Sequence, residues 1–213
     1  KHVNNKNTIE TLAMHQLSFA EYADQVREAR LTALTLDVGR TCSLTCAGMC
    51  YRQERRQPTR TDEYVSMDLV TREVRLAESE GLQNLTISGT EPFLHLDYDT
   101  ESTQLANART YDVLNQLGSQ PRSYRLGLVS NGLDIHRHRD NLTSLAHDRH
   151  FDYMDLSIDS GDPGAHDRIR GRKGAGAAVL TALQAANRCL EGVRVSTASV
   201  LRRDNAAGIL RLI

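Results

Sequence analysis

Five short β-rich stretches, each closed by turn residues and followed by a helical pattern, constrain this 213-residue chain most. They are Leu31–Val38, Asn84–Ser88, Tyr124–Val129, Asp152–Ile158 and Val193–Val200. Apolar residues at three- and four-residue steps give helices over Met67–Glu80, stopped by Gly81, over about Thr103–Leu117, from His136–Arg139 to about His147, over about Gly174–Leu190, and from Asp204 onward. Strands that alternate with helices need long crossovers, which are right-handed and yield a parallel sheet. The expected fold is therefore α/β: a partial (β/α) TIM-like barrel of parallel strands with five to six βα units. Five units are too few to close an eight-stranded barrel, and a sixth would lie beyond Ile213. A further helical pattern, Ile9–Arg30, makes residues 1–30 a helical extension ahead of a core at 31–213. The charged stretch Arg52–Tyr64, which holds Pro58, reads as an exposed loop, and the polar stretch between Asp159 and Gly174 reads mainly as loop, with helix-start character around His166–Arg170.

In such sheets functional groups gather beyond the C-terminal ends of the strands. The unusual residues of this sequence fall there. The first strand runs into T-C-S-L-T-C-A-G-M-C-Y, which packs Cys42, Cys46 and Cys50 into nine residues. The second ends at Gly89-Thr90-Glu91-Pro92, the third at Ser130-Asn131-Gly132 and the fourth at Asp159-Ser160-Gly161. Three thiolates on one short loop are soft ligands for iron or zinc. A set of three leaves one coordination position open, where closed structural sites use four ligands. A disulfide with a spare thiol is the first alternative; the odd local count and the lack of a secretory segment weigh against it. Inert core cysteines are a second, at odds with polar Ser43 and Thr45 between them. A zinc site completed by His95 or His136 is the third.

Composition removes several classes of function. Net charge is −1, so no basic surface points to nucleic acid. No apolar run approaches a membrane span, and the first residues lack the apolar core of a signal peptide. Four cysteines in all suit a reducing cytoplasm. Cys189 lies on a helical face with Leu183, Ala186 and Leu190 and reads as a small buried thiol. His136, Arg137, His138 and Arg139 read as a solvated helix start.

The cysteine triplet, G-T-E-P, L-V-S-N-G and L-S-I-D-S-G-D-P-G-A-H-D-R-I-R-G, in that order at successive strand ends, resemble the radical S-adenosylmethionine (SAM) superfamily. The last stretch is similar to the branch of the molybdenum-cofactor cyclase and the peptide-modifying radical SAM enzymes. The likeness spans about Leu34 to Arg203. One feature departs from the family pattern: C-x3-C-x3-C stands where the family has C-x3-C-x2-C with an aromatic before the last cysteine. Here Met49 precedes Cys50 and Tyr51 follows it.

The resemblance implies that Cys42, Cys46 and Cys50 hold three irons of a [4Fe–4S] cluster whose fourth iron chelates the amino and carboxylate groups of S-adenosyl-L-methionine. One electron then cleaves the S–C5′ bond, and the resulting 5′-deoxyadenosyl radical abstracts hydrogen from a peptide or small-metabolite substrate. It implies a reductant such as flavodoxin or ferredoxin. Glu91, with the backbone of Gly89 and Thr90, would receive the SAM ammonium, and Pro92 would fix that turn. Ser130 and Asn131 would hold the SAM carboxylate or ribose. Ser157 and Asp159 would face the barrel interior and its ribose hydroxyls. Arg202 would lie near the SAM carboxylate, and Met49 or Tyr51 would meet the adenine. A non-catalytic iron–sulfur or zinc module is the alternative function.

Overall fold

The computed structural model describes residues 32–38, 42–46, 66–88, 91–93 and 110–212. The strands are β1 (Ala33–Asp37), β2 (Asn84–Ser88), β3 (Arg125–Ser130), β4 (Tyr153–Ser157) and β5 (Arg194–Ala198). They form one sheet in the order β1-β2-β3-β4-β5, every neighbouring pair parallel. Chain order equals spatial order, so each right-handed crossover steps the same way and all helices fall on one face. The helices are α1 (Met67–Ser79), α2 (described over residues 110–118), α3 (Arg139–His147), α4 (Pro163–Arg170), α5 (Ala175–Cys189) and a single turn, α6 (Ala206–Ile209). This is the partial TIM-like barrel expected from the alternation.

Period-two alternation sorts the strand residues. Leu85, Ile87, Leu126, Leu128, Met154 and Leu156 are fully buried on the helix side. They share one core with Val70 and Val74 of α1, Leu114 of α2, Leu142 of α3 and Val179 of α5. Burying a side chain of this size contributes about 1.5–3 kcal/mol of transfer free energy. The opposite, inner face is polar. One row across it runs Thr35, Thr86, Gly127, Tyr153 and Arg194 in register. Tyr153 fills this row: its hydroxyl lies 2.6 Å from Thr86 Oγ1, and its ring sits between the guanidinium carbons of Arg125 and Arg194, 5.9 and 5.5 Å from the centroid. Both distances allow cation–π attraction. Glycine at 127 makes room, since a Cβ there would lie 2.3 Å from Tyr153 Cε2.

Three local expectations are corrected. The stretch after Asp159 is a helix, α4, where mainly loop was expected. Asp162 Oδ1 caps it by accepting from Ala165 N at 2.8 Å, Pro163 starts it, and Gly171 ends it at φ 68°. His138 is buried instead of solvated, with Nδ1 2.6 Å from the Tyr111 hydroxyl. The final helical pattern yields only the short α6. Cys189 is half-buried at the end of α5.

Candidate functional site

The turns after β2 and β3 meet at Glu91. Its side chain is 2% exposed, yet it is fully engaged. Oε1 accepts from Ser130 Oγ at 2.7 Å and from Phe93 N at 3.1 Å; Oε2 accepts from Asn131 N at 2.7 Å. The turn after β2 is thereby tied to the turn after β3. Burial still pushes the carboxyl up to about 7, against the three donors that hold it down. The turn after β3 is also internally fixed, because Leu133 N donates to Asn131 Oδ1 at 2.9 Å and Gly132 N to Ser130 Oγ at 3.0 Å.

The first thiol lies beside this hub. Cys42 Sγ accepts from Leu44 N at 3.4 Å and from Asn131 Nδ2 at 3.8 Å. Burial pushes the thiol up to about 12, and the charge of Glu91 adds to the effect. Cys42 and Cys46, both half-buried and neither in a disulfide, pack against Leu44, Leu133 and Ala175. The Cys42 thiol and the Glu91 carboxyl, both raised by burial, ionise more readily with a positive centre against them. The donor set therefore fits a thiolate-bound cation or cluster with a second cation at Glu91. Among the described residues no three His, Cys, Asp or Glu side chains converge as a metal site; Cys50 lies outside them.

The remaining sequence-predicted residues divide. Met49, Tyr51, Gly89 and Thr90 lie outside the described residues. Pro92 is buried, and its carbonyl accepts from Thr110 Oγ1 at 2.6 Å. Ser157 stands half-buried on the inner face, two positions beyond Asp155. Asp159, with no exposed surface, is turned into the protein: Oδ2 is 2.7 Å from Arg170 Nε, an ion pair not aligned as a hydrogen bond, and Oδ1 accepts from Val200 N at 3.1 Å. Its own N–H donates to His166 Nδ1 at 3.1 Å. Burial, reinforced by Arg170, holds that imidazole below the usual range, in keeping with its acceptor role. Arg202 pairs with Asp204 at 2.8 Å.

Sequence reasoning missed the support behind Glu91. The Phe93 ring stacks at 4.8 Å from His138 and 5.5 Å from Tyr111, so the residue that caps Glu91 is itself wedged in place. The clue was an aromatic just past G-T-E-P, but its partners lie distant in sequence. Asp155, which accepts a hydrogen bond from Ser196 Oγ on the inner face, was likewise not singled out.

The family model described as the radical SAM superfamily matches residues 36–213. No curated protein sequence matches the chain. Among solved structures, SuiB of Streptococcus suis superposes with a TM-score of 0.61 at 16% identity, covering 84% of this chain and 35% of that one. SuiB bound to S-adenosylmethionine gives 0.60 at 15% identity, with 84% and 35% covered. SuiB bound to its precursor peptide SuiA gives 0.59 at 15%, with 91% and 39% covered. At this identity the likeness is one of fold, and the chain spans little more than a third of the SuiB length.

Proposed function

Because the chain belongs to the radical SAM superfamily, we propose that it binds a [4Fe–4S] cluster through Cys42, Cys46 and Cys50 and acts with S-adenosyl-L-methionine on a peptide substrate. When bound, cluster and SAM together would supply a 5′-deoxyadenosyl radical that removes hydrogen from the substrate. The residues of this chain hold and orient. Glu91 receives the SAM ammonium, whose positive charge offsets the cost of keeping that carboxylate buried. Ser130, Asn131 and Phe93 fix the carboxylate by their hydrogen bonds. Asn131 also steadies Cys42. The backbone of Gly89 and Thr90 contributes further acceptors, with Pro92 setting the turn.

Met49 or Tyr51 supplies the adenine contact, Ser157 meets ribose from the inner face, and Arg202 serves the SAM carboxylate. Asp159, committed to Arg170 and the backbone of Val200, acts as support for the rim. A peptide is favoured as substrate because the fold resembles that of SuiB, whose structure holds a precursor peptide. Flavodoxin or ferredoxin is the reductant. The observation that carries this reading is the buried, hydrogen-bonded Glu91 at the side of Cys42.

The test is anaerobic reconstitution with iron and sulfide, then SAM cleavage under a low-potential reductant. The parent chain should turn brown and form 5′-deoxyadenosine. Cys46→Ala should lose both iron and cleavage; if it keeps them, the thiols are not the ligands.

A further inference from the structure

The end of α4 grips the cysteine loop at its middle. Thr45 N donates to the Arg170 carbonyl at 3.2 Å, and Thr45 Oγ1 donates to the Gly171 carbonyl at 2.8 Å. Arg172 Nη1 donates to the Ser43 carbonyl at 3.2 Å. These bonds bracket Leu44, halfway between Cys42 and Cys46. The approach is close enough to demand glycine, because a Cβ at 171 would lie 2.3 Å from the Thr45 carbonyl oxygen. The gripping turn is itself anchored, since Arg170 Nε faces the fully buried Asp159 at 2.7 Å. None of these atoms is a thiol or a carboxylate that would touch the cofactor.

We infer that the turn at residues 170–172, anchored through Asp159, is a positioning element that sets the separation of the first two thiols. The inference rests on the reading of those thiols as cluster ligands. Groups that orient metal ligands from behind typically change metal affinity 10- to 100-fold when lost.

The anchor is a poor place to test it, because opening a buried ion pair also threatens the fold. Thr45 is better, since its side chain is exposed. Thr45→Val removes the hydroxyl donor and Thr45→Ser keeps it; Gly171→Ala forces the two backbones apart. Each full-length variant is reconstituted anaerobically. Iron loss to a chelator, the electron paramagnetic resonance spectrum of the reduced cluster and far-ultraviolet circular dichroism are then recorded.

Thr45→Val should lose iron about 10-fold faster than the parent with an altered resonance spectrum and unchanged dichroism. Gly171→Ala should lose it faster still, and Thr45→Ser should match the parent. Parental iron retention and spectra in both Thr45→Val and Gly171→Ala overturn the inference. So does a parental Thr45→Val beside a Gly171→Ala that merely unfolds. A parent that takes up no cluster sinks the ligand reading and this inference with it; a loaded parent with indifferent variants sinks this inference alone.

Discussion

Titrating the metal-free chain between pH 4.5 and 8 isolates the cost of burying Glu91. Its carboxyl stands at 4.5 in the unfolded chain and is raised to about 7 in the fold, chiefly by burial. Below pH 4.5 both states are protonated and no penalty exists. Between 4.5 and 7 the unfolded chain gives up the proton while the fold keeps it, so stability falls as pH rises; above about 7 the loss is complete. At about 1.4 kcal/mol per unit, the shift amounts to about 3 kcal/mol.

Urea midpoints of the parent, set against Glu91→Gln at each pH, measure it. His166 must be subtracted because its lowered value gives the opposite slope, with stability rising as pH climbs through the range below 6.5. Glutamine brings its own constant penalty, since its amide would face the Asn131 N–H; only the pH dependence of the difference matters. The advantage of the parent over Glu91→Gln should shrink by about 3 kcal/mol from pH 4.5 to 8. A difference that stays flat would show that the buried carboxyl ionises at an ordinary pH, and the electrostatic case for a cation at this position would fail.

Three further outcomes are expected. Gly127→Ala should cost about 1–3 kcal/mol in denaturant unfolding by driving a methyl into the Tyr153 ring, and Tyr153→Leu should recover part of it. Asp162→Ala should cost about 1 kcal/mol through loss of the α4 cap, read from the same midpoints. Asn131→Asp keeps the acceptor for Leu133 N but replaces the donor to Cys42 with a negative charge. A redox titration of the reconstituted protein should show a lower cluster potential, and an unchanged potential would remove Asn131 from the sulfur's surroundings.

The strand pattern was legible because Leu85, Ile87, Leu126, Leu128 and Leu156 must all face one way, and period two carries that demand in the sequence. The rim followed from topology: once the strands are parallel, whatever follows them shares an edge. The partners of the rim residues were not legible. Asp159 looked like a group for ribose, yet Arg170, eleven residues on, claims it, and only the return of α4 brings that guanidinium back. The missed helix had its signals, Asp162-Pro163 before and Gly171 after, but its short, mostly polar body hid the period. His138 was misjudged because a charged local sequence says nothing of Tyr111 and Phe93, which arrive from other segments.

The two faces of the sheet answer to different masters, and this matters to anyone who would redesign the protein. Outward positions such as Leu126 and Leu156 register any change of volume as lost cohesion. Inward ones such as Asp155, Ser157 and Ser196 stand only half-buried, so substitutions confined to them alter the polar face of the sheet with little loss of buried apolar contact. Alternate letters along a single strand thus separate evolvability from robustness.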